Sequence, residues 1–169
     1  FAMRHGQAQN NIESFTECNG SVDKSLTPQG RAQAASAAAE LKRQQIDLII
    51  TSPLPRARET AALVRSELGL PDSAVMVDER IRETNFGEFN GKTLAEYRGF
   101  YASYAERLHK APPGGESYVE LRRRVGEFLF DVELRYSGRN VLIVMHGGPA
   151  YVLNAVACRA TPGKMMQRK

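Results

Sequence analysis

The chain has 169 residues, 42% apolar and 25% charged, which suits one folded domain with a real core and excludes a disordered or low-complexity protein. Its formal charge of +4 favours anionic ligands, but the basic residues are dispersed, so no nucleic acid is expected as a partner. No apolar run approaches the ~20 residues of a membrane span and no signal peptide is visible, so a membrane is not expected as a partner either.

In chain order, Phe1–Met3 reads as the stub of a strand that leads into Arg4-His5-Gly6. Cys18 is isolated, as is Cys158, and this usage fits a reducing, cytoplasmic setting. Asn19-Gly20-Ser21 matches a glycosylation sequon but, without a secretory signal, reads as a turn. Thr27 caps a helix with Pro28 at its first position, running to about Gln44 with Ala32, Ala35 and Ala39 expected to pack on a sheet. Asp47–Thr51 is a buried strand followed by Ser52-Pro53. A second helix starts near Leu54, carries Ala57, Ala61, Val64 and Leu68 on one face, and stops at Gly69.

Val75–Val77 reads as a short buried strand, and a third helix is expected from about Thr93 to Lys110, closed by Pro112-Pro113-Gly114-Gly115. The aromatics Tyr97, Phe100, Tyr101 and Tyr104 are expected to pack that helix down; with Arg98, Arg107 and Lys110 they also suit a lid that selects a leaving group. A fourth helix runs from Ser117 to about Tyr136 with Leu121, Val125, Phe128, Leu129 and Val132 as its apolar stripe. Its Arg122-Arg123-Arg124 run reads as a solvated face. Val141–Met145 is the clearest strand, followed by His146-Gly147-Gly148 and a last helix after Pro149. Alternating strands and helices predict an α/β domain: a three-layer α/β/α, doubly wound, mostly parallel sheet.

Open sheets of this kind bind ligands beyond the carboxyl ends of their strands. The polar residues that follow those ends are Arg4 and His5, Arg56, Glu83 and His146, and two of the chain's three histidines are each followed directly by Gly. The third, His109, is expected at the surface. Two guanidiniums match phosphate oxygens and stay charged at any working pH. Arg56 lies in a helix's first turn, where backbone N–H groups add anion affinity. A neutral imidazole between the arginines is a competent nucleophile, kept neutral by the cationic pocket, and Glu83 can supply a proton to a leaving oxygen.

These blocks resemble the histidine phosphatase superfamily, whose best-known branch is the phosphoglycerate mutases. Arg4-His5-Gly6-Gln7 with Asn11, Leu26-Thr27-Pro28-Gln29-Gly30, Ser52-Pro53-Leu54-Pro55-Arg56-Ala57, Arg82-Glu83 with Phe86–Gly91, Pro113–Ser117 and Val144–Gly148 occur in the family's order along nearly the whole chain. The resemblance implies a phosphoglycerate mutase-like fold and a phosphatase acting through a phosphohistidine on His5, with Glu83 as general acid and base and His146 as a third catalytic residue. Arg4, Asn11, Arg56, His146 and the backbone N–H of Gly147 are implied to bind the phosphoryl group of a small phosphorylated substrate, with no metal or organic cofactor. Ala8, Met145 and Asn90 depart from the family's usual Thr, Ser and Glu without touching a catalytic role.

Against the family pattern, part of the first strand and a late strand are missing from this single domain, residues 1–169. The chain is therefore expected to be a piece of a larger multidomain polypeptide. Three other readings compete. A phosphoglycerate-type mutase needs a longer insertion than the roughly thirty residues between Glu83 and Gly114. An idle phosphate-binding module would be expected to have lost His5 or Glu83. A zinc site on two His and one Glu is opposed by the adjacent arginines. No phosphate loop or dinucleotide fingerprint is present.

Overall fold

The computed structural model describes residues 1–16 and 25–165, so Cys18 and the sequon lie outside the described residues. The strands β1 (Ala2–Arg4), β2 (Leu48–Thr51), β3 (Val75–Val77) and β4 (Val141–Met145) form one parallel sheet in the order β1-β4-β2-β3. The register sets Arg4 beside Met145 and Thr51 beside Val144, so the strands end together at one edge.

Strand geometry sends successive side chains to opposite faces, and both faces are apolar here. Leu48, Ile50, Val141, Ile143 and Met145 pack on one side against α5 (Tyr118–Arg135) and α6 (Gly147–Ala157), through Leu121, Val125, Phe128 and Val152. Ile49, Leu142 and Val144 pack on the other against Ala38 of α2 (Pro28–Leu41) and Ala57, Ala61 and Val64 of α3 (Pro55–Leu68). The three-layer, doubly wound α/β/α expectation holds. Among the described residues no helix is long and apolar enough to cross a membrane.

Four local expectations need correction. Among the described residues Val75–Val77 is an edge strand bonded only to β2, with Met76 and Val77 exposed rather than buried. The helix at 28–41 buries Gly30, Ala34 and Ala38, not Ala32, Ala35 and Ala39, because a nearly all-alanine surface offers no contrast to mark its inner face. The segment 93–110 is not one helix: α4 (Leu94–Gly99) stops, Ser103 is extended, and a 3-10 turn follows at Tyr104–Leu108. The Glu106 carboxylate accepts the Ala102 N–H and so caps that second turn separately. The helix expected after Pro149 starts at Gly147 with His146 as its N-cap, because Pro149 falls in the first turn, where a helix needs no N–H. A short α1 (Gln9–Glu13), with no apolar stripe to announce it, was not anticipated, and α7 (Pro162–Met165) ends the described chain.

Close backbone approach holds the first loop against α2. A β-carbon on Gly30 would collide with the Gln7 carbonyl, and one on Gly6 with the Gly30 carbonyl. Gly126, inside α5, has open space around it. Gly30→Ala is therefore expected to destabilise by about 1–3 kcal/mol despite alanine's better helix propensity. Gly126→Ala should stabilise by about 1 kcal/mol. Urea unfolding of the two variants beside the parent chain measures both signs.

Candidate active site

His5 leaves the end of β1 with its backbone N–H bonded to the Met145 carbonyl, 2.9 Å away, which locks it to β4. The residue is 5% exposed. Nδ1 lies 2.7 Å from the Gly6 carbonyl oxygen, which can only accept, so Nδ1 carries the proton. Nε2 is then the lone-pair nitrogen, and it accepts from Arg56 Nε at 3.2 Å. The contact fixes the imidazole tautomer from both ends.

Arg56 sits in the first turn of α3 and is 1% exposed. Thr60, one turn later, donates to the Arg56 carbonyl at 2.7 Å and accepts the Gly6 N–H at 3.1 Å, tying the helix start to the His5 loop. Arg4, exposed at the strand end, and Asn11 line the same cavity of about 290 Å³ as His5, Arg56 and Glu83. The Asn11 side-chain oxygen accepts the Ala8 N–H at 2.9 Å, which leaves its amide N–H groups as the free end. Asn10, also lining the cavity, is buried, and its amide oxygen has no partner among the described residues.

Glu83 is held rather than loose. Its Oε1 accepts N–H groups from Thr84 at 2.9 Å and Gly148 at 3.2 Å, the latter at the start of α6. A β-carbon on Gly148 would fall 2.7 Å from that oxygen, so glycine there makes room for the carboxylate. Behind Glu83, Arg124 is not part of a solvated face as its neighbours suggested. It forms a bidentate pair with Glu116, at 2.9 and 2.6 Å, and donates to the carbonyls of Arg80, Arg82 and Glu83. Arg123, by contrast, is 82% exposed in its side chain.

His146 lies beneath the cavity, fully buried, with its ring centroid 5.0 Å from that of His5. Ser52 Oγ accepts the Leu54 N–H and lies 2.7 Å from His146 Nε2, to which its hydroxyl can donate. That assignment places the ring proton on Nδ1, which has no partner among the described residues. Gly147 follows beside Arg4, whose Nε is 4.0 Å from where a Gly147 β-carbon would be. The fold thus lines one cavity with five of the anticipated residues and sets His146 against His5 and Gly147 near Arg4; it also gives supporting roles to Ser52, Thr60 and Gly148, which the sequence blocks contained without a role, and to Arg124.

Burial pushes the His5 ring down to about 3, its bond to Gly6 opposes the shift, and Arg56 and Arg4 add to it. Desolvation is therefore the first cause, ahead of the cationic pocket expected from sequence. His146 is lowered for the same first reason, with Arg56 next. Among the described residues no group of three or more His, Cys, Asp or Glu is placed to hold a metal ion. The site is built for an anion: cationic donors surround two neutral imidazoles.

The sign of the acid response follows. A folded value near 3 against an ordinary 6.5 means that the unfolded chain binds the extra proton across that window. Stability is fully present above 6.5 and falls as pH drops towards 3. Replacing His5 with Asn should flatten part of that slope; urea midpoints across the window, showing the same slope in both proteins, would contradict it.

Known proteins share this chain's sequence pattern and fold. A sequence profile described as the histidine phosphatase superfamily, branch 1, matches residues 1–169. Glucosyl-3-phosphoglycerate phosphatase of Mycobacterium tuberculosis is 35% identical over 90% of this chain and 72% of that one. A 2,3-bisphosphoglycerate-dependent phosphoglycerate mutase of a Methylobacterium species is 33% identical over 95% and 82%. The solved structure of mycobacterial glucosyl-3-phosphoglycerate phosphatase with VO3 is 31% identical, covers 99% of this chain and 85% of that one, and superimposes with a TM-score of 0.85. The chain belongs to the histidine phosphatase superfamily.

Proposed function

We propose that the protein hydrolyses phosphate monoesters of small organic molecules through a phosphohistidine on His5. The observation that carries this reading is the lone-pair Nε2 of His5, buried and held 3.2 Å from the Arg56 guanidinium with its other nitrogen committed to Gly6. An uncharged nucleophile beside a fixed cation is what attack on a phosphate dianion needs, since the cation draws in the phosphoryl oxygens without protonating the attacking nitrogen. Membership of a family with phosphatases among its relatives supports the same reaction class.

In the first step Nε2 forms a bond to phosphorus as the ester P–O bond breaks. Arg4, Arg56, the Asn11 amide, His146 Nδ1–H and the Gly147 N–H hold the equatorial oxygens. Glu83 gives its proton to the leaving oxygen. Oε1 already takes two backbone N–H bonds, so Oε2 is the proton-bearing atom, and those bonds stabilise the carboxylate left behind. In the second step the Glu83 carboxylate takes a proton from water, whose oxygen attacks phosphorus; the P–N bond breaks and inorganic phosphate leaves. Every group returns to its starting state. No metal or organic cofactor is used in these steps, and the partner is the small phosphorylated substrate itself.

The mutase reading rests on one relative's name and on no feature of this site; the short segment between Glu83 and Gly114 favours water as the acceptor. An idle phosphate-binding module is opposed by the precise seating of Glu83, which oxyanion binding alone does not require.

General acid assistance contributes roughly 10²–10⁴-fold when the leaving group is basic and little when it is not. Glu83→Gln should therefore slow phosphorylation by alkyl phosphates far more than by p-nitrophenyl phosphate in single-turnover assays. Equal losses on both would remove Glu83 from the acid role, and no turnover of either by the parent chain would remove the phosphatase reading.

A further inference from the structure

A second cavity, of about 530 Å³, lies next to the catalytic one, and Leu94 lines both. Arg107 and Arg98 line it with Tyr101, Tyr104 and Tyr118. The Arg107 guanidinium is enclosed by aromatic faces: its carbon lies 5.0 Å from the Tyr97 ring centre, 5.6 Å from Tyr101, 5.2 Å from Tyr104 and 4.9 Å from Tyr118.

Ring faces attract a cation but accept no directed hydrogen bond of normal strength, and a guanidinium presents five N–H donors in a plane. Among the described residues Nε is buried without a partner, and the guanidinium's bond to the Tyr97 hydroxyl is long at 3.4 Å. Acids close in sequence are committed elsewhere. Glu106 takes the Ala102 N–H and Lys110, while Glu96 takes the Thr93 N–H and hydroxyl. Tyr101 and Tyr118 cannot serve as counter-ions, because burial raises both phenols and keeps them protonated. Among the described residues no carboxylate pairs with Arg107, and none pairs with Arg98 at the same cavity. A positive charge drawn into a partly desolvated box without an anion is costly unless a ligand supplies one.

We propose that this box is the subsite for the far end of the substrate, and that the leaving group carries a second anionic oxygen group, a carboxylate or phosphate, on an apolar or ring-bearing body. The inference rests on the phosphatase reading of the first cavity. The ester phosphate sits on His5 and Arg56, the body crosses Leu94 and lies against the tyrosine rings, and the distal anion pairs with the Arg107 fork. Arg98, exposed at the rim, adds charge without burial.

The test compares ω-carboxyalkyl phosphates with n-alkyl phosphates of equal, increasing chain length. The parent chain should prefer the acid by roughly 10–100-fold in kcat/KM at a best length, the range a charge-assisted hydrogen bond supplies. In Arg107→Gln that ratio should fall towards one. Because the ratio is taken within each protein, loss of folded enzyme cancels. Arg107→Lys should recover only part of the preference, since it keeps the charge and loses the fork. Equal turnover of both series by the parent chain overturns this subsite and leaves the phosphatase reading standing, and so does an acid preference that Arg107→Gln leaves intact. Turnover of neither series removes both. The parent comparison decides the matter even if the glutamine variant does not fold, and a phosphate in place of the carboxylate separates the two kinds of anion.

Discussion

Arg56 keeps a full charge at 1% exposure, and its Nε spends a hydrogen bond on the lone pair of His5 rather than on a carboxylate. Much of the site's construction follows from that contact. The imidazole must stay uncharged to accept it, which is why Nδ1 is committed to Gly6 and why burial, more than the nearby cations, lowers the ring to about 3. The backbone must hold both partners without slack, which is why Thr60 bridges Arg56 and Gly6, and why Gly6 and Gly30 touch where side chains cannot fit. The same parallel sheet brings His146 up from the neighbouring strand, one ring away.

The acid side of the site is supported by a separate device. Glu83 follows a 3-10 turn (Glu79–Ile81) rather than a strand, and such a segment has few ladder bonds to fix it. Arg124 supplies the missing bonds from α5, donating to the carbonyls of Arg80, Arg82 and Glu83 while its charge is balanced by Glu116. Glu116 in turn accepts the Asn85 N–H, so the loop is gripped on both sides of the carboxylate. One half-buried pair thus positions Glu83 through its main chain, with Arg124 donating to the Glu83 carbonyl.

Much of this was legible in the sequence, and for a physical reason. A parallel strand buried on both faces reads as an unbroken apolar run, so polar residues at its end, such as His146 after Val141–Met145, stand out. What failed was contrast. Three consecutive arginines hide the one that turns inward, and an alanine helix hides its inner face. Aromatics at near-helical spacing between 93 and 110 disguised a chain that breaks to wrap a cluster around Tyr97. Val75–Val77 looked buried because three apolar residues cannot report that a sheet ends beside them.

The central claim is that His5 reacts through Nε2 because Nδ1 is tied to Gly6. It is tested most directly by trapping the phosphoenzyme at high pH in protein carrying nitrogen-15 histidine and reading phosphorus–nitrogen coupling by NMR. The account predicts one phosphohistidine, at position 5, with phosphorus bonded to Nε2. Phosphorus on Nδ1, on His146, or on an oxygen of any side chain would contradict it.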